Sequence, residues 1–223
     1  MELYHGSDRI ISKPLYGGGR PYNDYGPGFY CTKNLELAYE WACTDHYTGY
    51  ANKYELDGTG LVTINLNSRK YHILNWMAVL LENRIFDITA SLPLQARRYI
   101  LDNFLPEYKE CDIIIGYRAD DSYFSFARAF LNNTLTLEQL GRAMHLGKLG
   151  EQVVIRSARA FEALMYLGAA PAARDAWFPR RMARDKAARE AFHTIQQENP
   201  LVEAVYVVDI IRGKWQNDDP RLQ

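Results

Sequence analysis

The segment from Ser12 to Gly28 restricts the fold of this chain more than any other feature. Turn-forming residues crowd it: Gly17, Gly18, Gly19, Pro21, Asn23, Asp24, Gly26, Pro27 and Gly28. This density of glycine, proline and short polar residues excludes a helix or a central strand. We therefore predict two short strands, Glu2–His5 and Phe29–Thr32, joined by a long loop that forms a flap beside any site between them.

Helical periodicity appears directly after the second of these strands. Asn34 is a suitable N-cap for a helix from Leu35 to about Thr44, in which the apolar residues share one face. Further helices are predicted over Ile73–Asn83, over Leu92–Phe104, from Asp120 or Asp121 to Phe130, after a cap at Thr134, and from a cap at Ser157 to Leu167.

Strand patterns alternate with these helices. Tyr50–Leu56 and Leu61–Leu66 flank the turn residues 57–60 and are predicted to pair as a hairpin. Asp112–Tyr117 has the composition of a strand buried on both faces. Two further strands are predicted over Gln152–Ile155 and over 202–211. The pattern indicates an α+β fold with a mixed sheet.

The 223 residues are predicted to form a single domain, because mixed sheets often reach this length as one unit. Residues 169–199 are rich in Ala and Arg and are predicted to be a helical insertion, broken at Pro179, before the final strand. Its stretch 172–190 carries a local excess of basic residues. Either this stretch is a solvated helix face, or it binds RNA, single-stranded DNA or an acidic partner protein.

Charge and cysteine content argue against several classes of protein. The formal net charge of -1 provides no overall attraction to nucleic acid or to a membrane, so any such partner needs a local patch. The three cysteines are scattered and the histidines lack metal-binding spacing, which argues against disulfides and a metal site. No apolar run is long enough to span a membrane, and a cytoplasmic location is expected.

Three short pieces in a fixed order carry the chemistry. They are Tyr4–Ser7 at the end of the first strand, Gly26–Tyr30 at the second, and Gly150–Ile155 at a late strand. In this order they resemble the ADP-ribosyltransferase superfamily of the diphtheria-toxin and poly-ADP-ribose polymerase type, whose signature is His, Tyr, Glu. The superfamily's split mixed β-sheet with flanking helices is the fold that the resemblance implies.

The resemblance is greatest to a bacterial branch of that superfamily, whose members look like toxins of toxin–antitoxin pairs. It extends over most of the chain: Tyr4–Ser7, Gly28–Trp41, Tyr54–Leu56, Ile115–Asp121, the strand from Gln152, and Val207–Arg212. The resemblance thus implies an enzyme that uses NAD and passes ADP-ribose to a macromolecular acceptor, either protein or nucleic acid. An antitoxin protein is an implied partner.

The resemblance also assigns roles in binding NAD. His5 would donate a hydrogen bond to a ribose hydroxyl, and Gly6, beside Ser7, would let the backbone approach the cofactor. The Tyr30 ring would stack on nicotinamide. Arg118 and Arg20 are candidates for binding the pyrophosphate. Taken singly, His5 and Tyr30 could instead be an ordinary packed histidine and an ordinary strand tyrosine.

The third signature position is ambiguous, because Glu151 and Gln152 are adjacent and successive strand residues face opposite sides. A carboxylate would better stabilise the oxocarbenium-like sugar formed when nicotinamide leaves, which favours Glu151. The bacterial branch favours Gln152, which we take as the inward residue with Glu151 at the rim. Asp120 or Asp121 could supply a carboxylate instead, or could merely cap a helix.

Two other functions remain open. The chain could be a module that binds NAD or a partner without turnover, or it could be an NAD glycohydrolase that transfers ADP-ribose to water. The identity of the acceptor depends on loops whose shape the sequence does not determine.

Overall fold

Strands and helices alternate along the chain in a computed structural model, which describes residues 1–118, 123–146, 150–199 and 203–222. The strands are β1 (Glu2–Ser7), β2 (Phe29–Cys31), β3 (Gly49–Leu56), β4 (Thr63–Asn65), β5 (Ile113–Tyr117), β6 (Glu151–Ile155) and β7 (Leu164–Ala172). The helices are α1 (Leu35–Ala42), α2 (Ile73–Asn83), α3 (Ser91–Phe104), α4 (Tyr123–Leu131), α5 (Leu137–Ala143), α6 (Ala158–Glu162), α7 (Arg174–Gln197) and α8 (Val207–Arg212).

The strands form two sheets. The first sheet has the order β1-β3-β7 and is antiparallel throughout. The second has the order β2-β6-β5-β4 and is mixed, because β4 runs parallel to β5 while the other neighbours are antiparallel. Reciprocal backbone hydrogen bonds of 2.8 Å between Tyr4 and Thr32 join β1 to β2. The α+β class with a mixed sheet is therefore confirmed.

Two apolar layers enclose the second sheet. One face, with Ile114 and Val154, packs on the buried helix α2 and on parts of α3 and α4. The other face, with Ile113 and Val153, packs against Leu3 of the first sheet. Alternation along the strands explains this arrangement, because neighbouring residues point to opposite faces. Among the described residues, no helix combines the length and the apolar character needed to cross a membrane.

The predicted hairpin between Tyr50–Leu56 and Leu61–Leu66 is wrong, because β3 and β4 belong to different sheets. The turn itself forms: the Asp57 carboxylate accepts a hydrogen bond from the Thr59 N–H at 3.0 Å. Beyond the turn, the Val62 N–H donates to the Asp112 carboxylate at 2.6 Å, which directs the chain toward β5. Alternation identifies a strand but not its partner.

The end of the chain differs from the prediction in three places. The helix capped by Ser157 ends at Glu162, and β7 follows up to Ala172, inside the predicted insertion. Helix α7 continues through Pro179, which removes only one backbone donor. The predicted final strand 202–211 is wrong: in its described part, Val207–Arg212 is a helix whose Val207 and Ile210 are buried at helical spacing.

Helix α7 packs beside α1 through its basic residues. The Arg184 guanidinium makes two hydrogen bonds, of 2.8 and 2.9 Å, to the Glu40 carboxylate. Arg181 donates to the Cys43 carbonyl at 3.1 Å, and the Trp177 ring stacks on Tyr39. Much of the basic excess in this segment thus fixes α7 in place. Helix α5 is capped by Thr136, two residues after the predicted cap at Thr134.

Candidate functional site

A pocket of about 960 Å³ lies where β1 meets β2, beneath the loop that joins these two strands. His5 from β1, Tyr30 from β2 and Gln152 from β6 all line it. The loop supplies much of the remaining wall, and α1 contributes Trp41. Three residues that are far apart in the sequence therefore meet at one cavity, which we call the strand pocket.

The His5 ring is held in one orientation. Its Nδ1 lies 2.7 Å from the Tyr30 carbonyl oxygen, and its ring stacks on Phe29 with 4.3 Å between centroids. Burial lowers the pKa of His5, although the hydrogen bond to Tyr30 opposes this shift. A carbonyl only accepts, so Nδ1 carries the hydrogen and Nε2 of the neutral ring is an acceptor. A neutral His5 would thus accept from a ribose hydroxyl, the reverse of the predicted direction.

Tyr30 lines the pocket and also packs against the larger apolar core. Its hydroxyl donates to the Gly26 carbonyl at 2.6 Å and accepts from the Tyr25 N–H at 3.1 Å. Burial raises the pKa of Tyr30 well above its usual value, so the hydroxyl stays protonated at neutral pH. With the hydroxyl occupied by the loop, the aromatic face is the part of Tyr30 that a ligand can contact.

The structure places Gln152, and not Glu151, in the strand pocket. Val154 pairs directly with Tyr30, and Gln152 lies two residues before it on the same face of β6. Glu151 points to the opposite face, where its carboxylate accepts from Lys33 at 3.0 Å and from Asn67 at 3.1 Å. Burial acts to raise the pKa of Glu151, but these two hydrogen bonds outweigh it and the pKa is lowered.

The pocket wall includes buried polar atoms that have no hydrogen-bond partner among the described residues. They include the Gln152 amide oxygen, on a side chain that is 5% exposed, and the Trp41 indole N–H. The Arg118 guanidinium lies 3.9 Å above the Trp41 ring and also lines the pocket. An unsatisfied buried acceptor and donor each cost about 1–3 kcal/mol. A ligand that offers both kinds of group would remove this cost.

The wall of the pocket is strongly basic. Among the described residues, its charged side chains are Arg9, Lys13, Arg20, Arg84 and Arg118 against one carboxylate, Asp24. Arg84 donates to that buried carboxylate at 2.8 Å, so this pair is neutral as a unit. The remaining charge is positive, and the pocket favours an anionic ligand.

The remaining predicted site residues are Gly6, Ser7, Asp120 and Asp121. Gly6 lines the pocket, but its main constraint is packing, because an added Cβ would lie 2.1 Å from the Ala38 carbonyl oxygen of α1. The Ser7 hydroxyl is used within the protein: it donates to the Arg9 carbonyl and accepts from Asn52. Asp120 and Asp121 lie outside the described residues.

Asn52 is a residue of this site that sequence reasoning missed. Its fully buried amide lies on β3 and donates to the His5 carbonyl, the Ser7 hydroxyl and the Arg9 carbonyl at 3.0–3.3 Å. Its oxygen accepts from the Ile11 N–H at 2.8 Å. Asn52 therefore ties the start of the loop to the end of β1. The available signal was a polar residue at an inward position, because Asn52 alternates with the buried Tyr54 and Leu56 on one face of β3.

Replacing Asn52 by alanine is expected to lower the free energy of unfolding by about 2 kcal/mol, because the Ile11 N–H loses its acceptor inside the protein. Urea denaturation followed by circular dichroism measures the change. Asn132→Ala is the matched control, since Asn132 is exposed. Equal loss in the two variants would contradict the role of Asn52 as an anchor.

Comparisons with known proteins give one result. No curated protein and no solved structure matched this chain. Residues 1–166 match a family described as "Protein of unknown function (DUF3990)", and this region contains β1 to β6 and the residues of the strand pocket. The chain therefore belongs to the DUF3990 family.

Proposed function

We propose that this protein is an NAD-dependent ADP-ribosyltransferase that binds NAD in the strand pocket. One observation carries the proposal: His5, Tyr30 and Gln152, from three separate strands, meet in a basic cavity. They occupy the places that the resemblance assigns to His, Tyr and Glu. With this function we also propose the superfamily's split-sheet fold and a toxin role with an antitoxin partner in the cytoplasm.

The pocket wall offers a suitable group for each part of NAD. The Tyr30 ring presents a face for nicotinamide, and stacking contributes about 0.5–1.5 kcal/mol beyond the buried area. The unpartnered Gln152 oxygen can accept from a ribose hydroxyl. Arg118, with Arg20 on the loop, can bind the pyrophosphate through charge-assisted hydrogen bonds. These contacts together would fix the ribose between its leaving group and an acceptor.

The chemical step breaks the bond between nicotinamide and the ribose C1. Nicotinamide leaves with the electron pair of that bond, and the sugar passes through an oxocarbenium-like state. A nucleophile of the acceptor then bonds to C1 and gives up its proton to water. Gln152 can orient the ribose for this step, but its neutral amide offsets less positive charge than a carboxylate would.

The amide at position 152 also favours a second candidate function, a module that binds NAD without cleaving it. Among the described lining residues, Asp24 is the only acid, and it is engaged by Arg84. Binding needs the shape and charge of the pocket, whereas rapid cleavage needs stabilisation of the cationic sugar. An NAD glycohydrolase is the third possibility, and it would release nicotinamide without labelling any acceptor.

Labelled NAD separates these functions. Wild-type protein is expected to release nicotinamide and to label a macromolecule of a cell lysate. Arg118→Met, which keeps the side-chain stem over Trp41, is expected to raise KM for NAD about tenfold, because a charge-assisted hydrogen bond is worth roughly 1.5–3 kcal/mol. The exposed Arg98 on α3 provides the control variant Arg98→Met.

The outcomes of the labelled-NAD experiment distinguish the three candidate functions. Binding of NAD in calorimetry with no nicotinamide release would support the module and refute the enzyme. Release without label would identify the glycohydrolase. Absence of both binding and release would refute all three functions.

A further inference from the structure

The loop over the strand pocket carries exposed cations that NAD binding does not explain. Arg9, Lys13 and Arg20 are all exposed, and each lines the mouth of the pocket. One exposed acid, Asp8, lies on the same loop, 3.9 Å from Arg9. The loop surface is thus basic, although the chain as a whole has a formal net charge of -1.

The loop carries more cations than binding of the NAD pyrophosphate requires. Among the described residues of the loop, the exposed cations are Arg9, Lys13 and Arg20, against one exposed carboxylate, that of Asp8. The pyrophosphate of NAD carries about two negative charges, and Arg118 and Arg20 match them. Arg9 and Lys13 are exposed at the pocket wall and have no assigned role in binding NAD. These two cations indicate an acceptor that is itself anionic.

Exposed aromatic and apolar side chains lie on the same loop. Tyr16 is 58% exposed, although its ring also contacts Phe161 edge-on at 5.5 Å. Tyr22 is 58% exposed and Leu15 is 78% exposed. Exposed rings on the loop that carries the cations offer faces on which bases can stack while phosphates contact the basic groups.

We propose that the loop surface formed by Arg9, Lys13, Tyr16, Arg20 and Tyr22 binds single-stranded nucleic acid and presents it to the strand pocket as the acceptor. The acceptor role rests on the proposed function, whereas the binding itself does not. In the transfer step, a nucleophilic atom of the strand bonds to the ribose C1 as nicotinamide departs with the electron pair of the broken bond. The proton of the nucleophile passes to water. A single strand suits this surface because its unpaired bases are free to stack.

Fluorescence anisotropy with labelled DNA and RNA oligonucleotides of about 12 nucleotides tests the binding, with the full chain and without NAD. Both single strands are expected to bind more tightly than a DNA duplex of the same length. Affinity should fall linearly on a logarithmic scale of salt concentration, as phosphate contacts require. The DNA and RNA arms show which strand is preferred.

Substitutions on the loop test which residues bind the oligonucleotide. Arg9→Ala combined with Lys13→Ala is expected to weaken binding at least tenfold, and Tyr16→Ala several-fold. The control pair is Arg98→Ala with Lys109→Ala, because both residues are exposed and neither lines the pocket. Equal loss in the loop pair and the control pair would overturn the proposal, since binding would then follow total charge alone.

Polyglutamate provides the competing acidic-protein probe. If it displaces the oligonucleotide at equal charge concentration, the surface recognises acidic protein, and the proposal fails. Absence of oligonucleotide binding also overturns it, even where wild-type protein cleaves NAD. Conversely, oligonucleotide binding with no NAD cleavage refutes the proposed enzyme and leaves this surface standing, so the two failures are distinguishable.

Discussion

Replacing Arg184 by methionine is expected to lower the free energy of unfolding by about 3 kcal/mol. The Glu40 side chain is only 4% exposed, and the Arg184 guanidinium binds both of its carboxylate oxygens. Methionine keeps most of the apolar stem but removes the charge, which leaves a buried carboxylate without its counter-ion. Breaking one partner of a buried pair costs about 3–5 kcal/mol, and the partial exposure of Arg184 favours the lower value.

The matched control is Arg189→Met, on the same helix at an exposed position. Urea denaturation of both variants gives the difference in free energy, and the control is expected to change by less than about 0.5 kcal/mol. Similar values for the two variants would show that the Arg184–Glu40 pair does not hold α7 to α1. Glu40 precedes Trp41 in α1, so this pair also steadies one wall of the strand pocket.

The local sequence pattern was sufficient to predict many of the helices and strands. The helical spacing in α1, the apolar run of α2 and the isoleucine run of β5 predicted elements that the structure contains. Burial repeats at helical spacing in α1, whereas α2 is buried continuously from Leu74 to Leu81 and β5 is buried on both faces. No information about distant residues was needed to recognise them.

Pairing between strands was not predictable in the same way. Residues 50–66 alternate as two strands around a turn, yet β4 pairs with β5, about fifty residues later. The apolar residues Val207 and Ile210 suit either a strand or a helix, and burial at i and i+3 selected the helix. These outcomes depend on which neighbour buries each segment, which a local pattern does not contain.

The candidate site likewise contains residues that the sequence predicted and residues that it did not. The order of the three strand pieces predicted that His5, Tyr30 and the strand of Gln152 belong together, and they do line one pocket. Asn52 and the Arg84–Asp24 pair were missed, because their roles arise from contacts between segments about 40 to 60 residues apart. A local sequence pattern can mark such a residue as polar, but it does not identify the distant group to which it binds.

Replacing Gln152 by glutamate is expected to raise the rate of nicotinamide release roughly 100-fold. The substitution hardly changes the shape of the side chain but places a carboxylate in the strand pocket, at the position proposed to contact the ribose of NAD. A fixed negative charge stabilises the developing oxocarbenium ion, and one such electrostatic group is worth about two to three orders of magnitude in rate. The surrounding cations, including Arg118, favour the ionised form of the new carboxyl group.

The adjacent residue supplies the matched control. Glu151→Gln makes the reverse chemical change on the opposite face of β6, where the carboxylate binds Lys33 and Asn67. It is expected to leave the rate of nicotinamide release within about twofold of wild type and to act mainly on stability, since the pair is partly exposed. Thermal unfolding of both variants separates effects on folding from effects on the chemical step.

The two variants together decide which residue fills the third signature position. A large rise in Gln152→Glu with little change in Glu151→Gln would show that the pocket already orients NAD for cleavage and that the amide limits the rate. A fall of activity in Glu151→Gln, with no rise in Gln152→Glu, would contradict the placement of the reacting ribose against Gln152. In that case the carboxylate on the opposite face of β6 would be the one that acts on the sugar.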